Sequence, residues 1–183
     1  VPAFAQSSVT LYGVIDAGLT YVNNSGGSHN YAMQSGVAQG SRWGLKGSED
    51  LGGGTKAIFQ LENGFNVFNG GLGQHSREFG RQADVGLSND TCCTLTLGRQ
   101  YDPIVDMVQP TTFNGQWGAF FSHPSDIDNT DNGFRVNNSV KYVSPKWNGL
   151  QAEGMYAFGG VAGSFRSNST MAAGLSYSGG PLY

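Results

Sequence analysis

Charged side chains recur on one side of two short alternating segments in this chain. Arg42 and Lys46 share one side of the first segment, and Glu62 lies on the corresponding side of the second. Groups of these types act on solutes through charge, by attracting and orienting ions or polar molecules. No catalytic motif accompanies them, so the sequence predicts an electrostatic role and no enzymatic activity.

The residues that usually carry bond-breaking or metal chemistry are absent from the patterns such chemistry needs. The glycine run 52–54 lacks the following Lys-Ser/Thr of a phosphate-binding loop, and no Gly-x-Ser-x-Gly nucleophile motif occurs. Three histidines fall in predicted loops at separations that match no metal site: His29, His75 and His123. The sequence therefore predicts no catalytic residues, no cofactor and no metal.

The only two cysteines, Cys92 and Cys93, are adjacent in the chain. Adjacent cysteines lack the separation of a zinc site or of a disulfide framework. The sequence favours two small turn residues here, with a vicinal disulfide or a reactive thiol as the alternatives.

The composition is poor in the residues that cover a soluble protein. Charged residues make up 13% of the 183 residues, about half the usual share of a soluble domain, while glycine contributes 29 residues and aromatics 12%. No stretch approaches 18 uncharged apolar residues, which excludes a transmembrane helix. A membrane β-barrel fits this profile, and a secreted β-sandwich shares much of it. The net charge of -3 argues against a nucleic-acid partner.

The first residues predict export. Residues 1–5 end in Ala3-Phe4-Ala5, which is typical of the end of a secretory signal peptide, so we interpret them as a signal-peptide remnant.

The elements that must position the charged residues are strands. Alternation of period two predicts about eight of them: residues 9–22, 41–49, 55–65, 77–88, 94–101, 135–143, 149–158 and 170–177. Short glycine-rich or polar turns alternate with long loops, the longest of which is 102–134. Residues 179–183 predict a turn that enters a further strand. We therefore expect the N-terminal half of a larger barrel, because barrels of roughly 16 to 18 strands enclose water and small ones are filled by side chains.

Five stretches together resemble the porins of β-proteobacteria: residues 8–16, 40–54, 57–62, 79–83 and 96–102. The most specific is Gly-Ser-Arg-Trp-Gly-Leu-Lys-Gly-Ser-Glu-Asp-Leu-Gly-Gly-Gly at 40–54. The resemblance runs from about Ser8 to the end of the chain. It implies a homotrimer of antiparallel barrels of roughly 16 strands, each with a third loop folded into the lumen.

The resemblance also implies where the pore is narrowest. In that family, wall arginines face acids of the inserted loop, which here would be residues 102–134. By their motifs, Arg42, Arg81 and Arg135 correspond to the wall arginines. Asp106 is the favoured facing acid. Three later acids, Asp126, Asp128 and Asp131, could instead lie at the mouth or bind a cation. Together with the residues placed by alternation, the predicted constriction comprises Arg42, Lys46, Glu62, Arg81, Asp106 and Arg135.

Two further residues receive predictions from alternation. With Arg81 facing the lumen, Asp84 is expected on the outward face, where a carboxylate in the membrane would be costly. Arg99 shares a face with Leu97 and is also expected to point outward, where it is a candidate for a salt bridge in the trimer contact.

The function that the resemblance implies is a water-filled channel in the outer membrane of a Gram-negative bacterium, used for passive diffusion of ions and small hydrophilic solutes. Its expected partners are two further copies of itself, outer-membrane lipid and lipopolysaccharide. Two alternatives remain open: a small structural or adhesive barrel, and a secreted β-sandwich that binds carbohydrate. The sandwich would use loop aromatics: Phe113, Trp117, Phe120 and Phe121.

Overall fold

The computed structural model describes residues 8–112, 129–130 and 133–180, and strands account for most of its regular structure. The strands are β1 (Ser8–Val14), β2 (Ala17–Ser25), β3 (Ser28–Ser35), β4 (Arg42–Gly52), β5 (Thr55–Gly64), β6 (Gln82–Asn89), β7 (Cys93–Gln100), β8 (Val136–Val143), β9 (Leu150–Ala157) and β10 (Thr170–Tyr177). The short helical segments are α1 (Gly73–Ser76), a π-helical segment (Ile104–Val108) and a 3-10 turn (Gln109–Thr111). Among these described residues, no helix is long and apolar enough to cross a membrane.

Eight of the strands form one antiparallel sheet in the order β1-β4-β5-β6-β7-β8-β9-β10. The two remaining strands, β2 and β3, form a separate hairpin. Within the described part of the chain, β1 pairs with β4 and β10 pairs with β9, so the sheet is open and these two strands are its edges. The all-β antiparallel prediction is therefore confirmed. Six of the eight predicted strands lie within about three residues of their expected bounds, while the strand predicted at 77–88 begins later, at Gln82.

The first predicted strand, residues 9–22, is wrong as a single element. The chain leaves the main sheet at Asp16, whose carboxylate accepts the backbone N–H groups of Val37, Ala38 and Gln39 at 2.9, 3.0 and 2.8 Å. These bonds fix a break between β1 and β2, after which β2 pairs with β3.

Residues 23–40, which separate the first two predicted strands, are also not all loop, because they contain β3. Its sequence, SHNYAMQS, is rich in the polar residues of loops. The strand forms because Tyr31 and Met33 pair directly with Tyr21 and Leu19 across the hairpin.

The main sheet exposes its apolar face. Leu11, Leu45, Leu61 and Ala83 form one row across four strands, and Leu11 is 69% exposed. The other face is polar and more deeply buried, with Glu62 at 4% exposure. A soluble domain would bury the apolar row, so this arrangement confirms the faces predicted for β4 and β5 and suits a sheet whose apolar side meets lipid.

The short turns lie together at one end of the sheet. The β4–β5 hairpin closes through Gly52, Gly53 and Gly54, whose φ angles of 86°, 61° and 76° are accessible at low cost only to glycine. The side-chain amide of Asn89, at the β6–β7 turn, donates to Thr55 Oγ1 at 3.0 Å, which ties the two neighbouring turns to each other. Since successive strands are antiparallel, the long connections that follow β5, β7 and β9 leave from the opposite end.

Candidate functional site

The charged residues of β4 and β5 meet on the polar face of the sheet. Arg42 pairs with Gly64, and Glu62 pairs with Gly44, so both charged side chains project from neighbouring positions of one hairpin. Arg42 Nε lies 3.9 Å from Glu62 Oε2. Gly44 leaves the space for a third group, because a Cβ there would lie 2.7 Å from the Tyr12 hydroxyl. Tyr12 thereby reaches across β4 and donates to Glu62 Oε2 at 2.9 Å.

Two further arginines complete this group. Arg81 Nε donates to Glu62 Oε1 at 2.6 Å, and Arg81 Nη2 donates to the Tyr101 hydroxyl at 2.9 Å. Arg135 Nη2 donates to the same hydroxyl at 2.8 Å, and the Arg135 guanidinium lies 4.9 Å from the centre of the Tyr101 ring. We call Arg42, Glu62, Arg81, Tyr101 and Arg135 the arginine cluster.

The arginine cluster contains three guanidinium groups and one carboxylate, that of Glu62. Glu62 contacts two of the three arginines, and the bond from Arg81 is a short charge-assisted one. Arg135 contacts Tyr101 both through a hydrogen bond and through the face of its guanidinium group. The three guanidinium groups are therefore held close together on the polar face of the sheet.

A second charged group lies beside the first and involves the predicted loop. Lys141 Nζ on β8 lies 2.5 Å from Asp106 Oδ2 in the π-helical segment, and 3.8 Å from Glu153 Oε1 on β9. The same ammonium donates to the backbone carbonyl of Tyr101 at 3.1 Å. Tyr101 therefore contributes its hydroxyl to the arginine cluster and its carbonyl to this group, which we call the lysine cluster (Asp106, Lys141 and Glu153).

The start of the predicted loop lies against the polar face of the sheet. A Cβ on Gly174 of β10 would lie 2.7 Å from Met107 Sδ and 3.0 Å from Pro103 Cβ, so the chain after β7 packs directly on this glycine. Met107 is buried there, and Asp106 is bound to β8. Residues 103–112 thus turn inward over β8 and β10.

Two bonds tie this segment to the end of the loop. Asn129 Nδ2 donates to Asp102 Oδ2 at 3.2 Å, and Gln109 Nε2 donates to the carbonyl of Thr130 at 3.0 Å. The remaining predictions for the loop fall on residues outside the described ones: Phe113, Trp117, Phe120, Phe121, Asp126, Asp128 and Asp131. Residues 1–5 also lie outside the described part of the chain.

The structure also locates Lys46 and Arg99. Lys46 lies on the polar face of β4, exposed, with Nζ 5.5 Å from the centre of the Tyr12 ring. Arg99 follows Leu97 on the outward face, where it donates to the carbonyl of Gly80 at 2.8 Å and to Asn137 Oδ1 at 2.6 Å. Arg99 thus has partners within its own chain, and its role in a trimer contact stays a prediction.

The expected outward position of Asp84 is wrong. β6 begins at Gln82, so Arg81 precedes the strand and period-two alternation cannot be counted through it. Within β6, Asp84 pairs with Gln60 on the polar face, while Ala83 and Val85 point outward. The carboxylate therefore avoids the apolar face, and the cost anticipated for it there does not arise.

Four residues of the site were missed from the sequence: Tyr12, Tyr101, Lys141 and Glu153. Alternation carried a signal for three of them. Tyr12 lies on the polar side of the first strand, Lys141 is six residues after Arg135, and Glu153 is the one acid in its strand. Tyr101 gave no such signal, because its role comes from contacts with residues distant in the chain. Among the described residues, no group of His, Cys, Asp and Glu side chains could hold a metal ion.

An antiparallel sheet that exposes apolar side chains on one face and gathers ionised groups on the other is the wall of a membrane β-barrel. The comparisons with known proteins give the family. A family described as Gram-negative porin matches residues 1–183. The chain belongs to the Gram-negative porin family.

Relatives from three genera agree with this assignment. An outer membrane porin protein of Bordetella pertussis is 38% identical over 176 residues, covering 85% of this chain and 44% of that protein. Outer membrane porin protein 32 of Delftia acidovorans is 36% identical, covering 85% of this chain and 45% of its own length. The major outer membrane protein P.IB of Neisseria meningitidis serogroup B is 30% identical, covering 100% of this chain and 54% of that protein. The chain therefore spans about half the length of these relatives. Its family places it in the outer membrane of a Gram-negative bacterium.

Known structures show the same fold. An anion-selective porin from Comamonas acidovorans superposes with a TM-score of 0.76 at 31% identity, covering 96% of this chain and 55% of that chain. The trimer form of OmpT, an outer membrane protein of Vibrio cholerae, gives a TM-score of 0.58 at 16% identity, covering 83% of this chain and 41% of that chain.

The arginine cluster predicts a stability effect for its single carboxylate. Glu62→Gln removes the negative charge from between Arg42 and Arg81 and leaves the Tyr12 hydroxyl with a weaker acceptor. We expect a loss of about 1 to 3 kcal/mol in the free energy of unfolding, the usual cost of leaving a buried charged donor poorly paired. Denaturant titration of the full-length protein in detergent measures it.

The matched control is Glu49→Gln, an identical change at an exposed position of the neighbouring strand β4. It should alter the free energy of unfolding by less than about 0.5 kcal/mol. Equal effects of the two substitutions would contradict the role of Glu62 as the shared counterion.

Proposed function

We propose that the complete protein is a porin whose water-filled channel lets ions and small hydrophilic solutes diffuse passively across the outer membrane. The observation that carries this proposal is the arginine cluster on the face opposite the exposed apolar rows. A charged wall backed by a lipid-facing surface is what a conducting barrel requires.

The ionised groups of the polar face favour water inside the barrel. Glu62 binds Arg42 and Arg81, and Lys46 is exposed on the same face. In a dry, filled interior, burying such ionised groups would cost several kcal/mol each. Solvent on this side removes that cost, which argues against a small barrel filled by side chains.

The sandwich alternative is less well supported. A β-sandwich buries the apolar faces of two sheets against each other. Here the apolar face of the main sheet is exposed, and the second sheet of the described structure is only the β2–β3 hairpin.

We assign the constriction to Arg42, Lys46, Glu62, Arg81, Asp106 and Arg135. The first four and Arg135 line the wall, and Asp106 belongs to the inward segment 103–112. Positive charge concentrates at the arginine cluster, while acids gather around Lys141, so a solute between them meets a transverse field. Low-dielectric walls focus that field. Permeation then depends on solute size, hydration and charge, with no covalent step, and the protein is no enzyme.

We further propose that the protein works as a homotrimer surrounded by outer-membrane lipid and lipopolysaccharide. The trimer form of the related fold from Vibrio cholerae supports this assembly. In such a trimer, the outward Arg99 is the candidate for a contact between copies, and Asn137 beside it would be part of the same surface.

Arg42 gives the most direct test of the constriction. Arg42→Ala removes one of three guanidinium groups, so we expect the selectivity of the full-length protein to shift toward cations. The reversal potential across a planar bilayer with a salt gradient measures the shift. The control is Arg166→Ala, in an exposed loop, which should leave the reversal potential unchanged.

The same measurement provides a second test, in which the reversal potential is expected to shift in the opposite direction. Asp106→Asn removes a negative charge that faces the lumen in this assignment, so selectivity should drift toward anions. If neither Arg42→Ala nor Asp106→Asn moves the reversal potential, the assigned constriction is wrong; absence of any conductance from the wild type would reject the channel itself.

Gly174 tests whether the inward segment sets the pore width. In Gly174→Ile the new side chain would collide with Met107 and Pro103 and push the segment toward the lumen, so single-channel conductance should fall. Gly154→Ile is the matched control, since a Cβ at Gly154 meets no atom within 4 Å. Equal conductance in both variants would show that residues 103–112 do not limit the passage.

A further inference from the structure

The vicinal thiols Cys92 and Cys93 lie at the β6–β7 turn, away from both charged clusters. Cys92 is exposed within the turn, and Cys93 is half-buried as the first residue of β7. Both are free thiols, and their sulfur atoms are 2.7 Å apart. The channel function uses neither of them, so the pair requires a separate explanation.

Asn89 holds the turn that carries the pair. Its side-chain oxygen accepts the backbone N–H groups of Thr91 at 3.0 Å and Cys92 at 3.1 Å. Its amide nitrogen donates to Thr55 Oγ1 at 3.0 Å in the neighbouring turn. The backbone before the two thiols is therefore fixed, and both sulfur atoms are presented at the end of the sheet.

The compartment at this end is oxidising, an inference that rests on the proposed function. In outer-membrane barrels the short turns face the periplasm. The bacterial periplasm is kept oxidising by thiol oxidoreductases that carry a reactive disulfide. An exposed thiol pair at this turn is accessible to such enzymes.

We propose that Cys92 and Cys93 form a reversible redox pair that closes into a vicinal disulfide in the periplasm. The exposed Cys92 thiolate attacks the disulfide of the oxidoreductase, which forms a mixed disulfide and releases one oxidoreductase thiolate. Cys93, as its thiolate, then attacks the Cys92 sulfur and releases the second. The pair loses two electrons to the oxidoreductase and gives up two protons.

The resulting bond is expected to be easily reduced. Adjacent Cα atoms are about 3.8 Å apart, which is shorter than the usual separation of about 4.4 Å or more in disulfides. The ring is therefore strained, and strained, exposed disulfides are the labile ones. This property distinguishes a reversible pair from a permanent structural crosslink.

The test uses the full-length protein, isolated from outer membranes and incubated with oxidised glutathione as the disulfide probe. Alkylation without reductant, followed by mass spectrometry of the peptide that carries both cysteines, should show no added alkyl group and a loss of two hydrogen atoms. Mild reduction before alkylation should then give two added groups. A strong reductant should not be needed.

The single variants serve as matched controls. Cys92→Ser and Cys93→Ser each keep one thiol that has no neighbour to close upon, so each should carry either one alkyl group or one glutathione. The same result in the wild type, with alkylated or glutathione-bound cysteines, would overturn the proposal. Disulfide-linked dimers of the wild type would also overturn it.

Formation of the disulfide and conduction by the channel can be tested separately. Closing the pair alters a turn at the end of the sheet, so conductance should be the same before and after mild reduction. A wild type that conducts but keeps two free thiols would reject the redox pair alone, while a wild type that forms the disulfide without conducting would reject the channel alone.

Discussion

The structure depends on the period of a β-strand, which puts neighbouring side chains on opposite faces of the sheet. Each strand here separates two environments, because apolar residues such as Leu11 and Leu61 are on one face and Glu62 is on the other. The backbone hydrogen bonds are made between neighbouring strands, so the sheet can meet lipid without unsatisfied groups along its interior strands. Both faces of the wall follow from this constraint.

The polar face is organised by a few shared groups. Glu62 is the shared ion-pair partner of Arg42 and Arg81, and the Tyr101 hydroxyl accepts hydrogen bonds from Arg81 and Arg135. These contacts hold the guanidinium groups in fixed positions on the polar face. The backbone carbonyl of Tyr101 extends the network to Lys141, so the wall and the inward segment are one connected structure.

The sequence predicted what is local and missed what depends on distant contacts. The faces of β4 and β5 followed from alternation alone, which correctly assigned Arg42 and Glu62. The side of Asp84 was wrong because the first residue of β6 is set by pairing with β5, which the residues before the strand do not reveal. The pairing of Asp106 with Lys141 joins positions 35 residues apart, and no local pattern predicts it.

The most direct test of the central claim is the environment of three successive residues of β5. Phe59→Cys, Gln60→Cys and Leu61→Cys, each made in a Cys92→Ser, Cys93→Ser background of the full-length protein, allow a fluorescent label at each position in lipid vesicles. Labels at the first and third positions should be quenched by a lipid-soluble quencher, and the label at the second by a water-soluble one. Quenching of all three by the same reagent, or the reverse pattern, would contradict a wall between lipid and water.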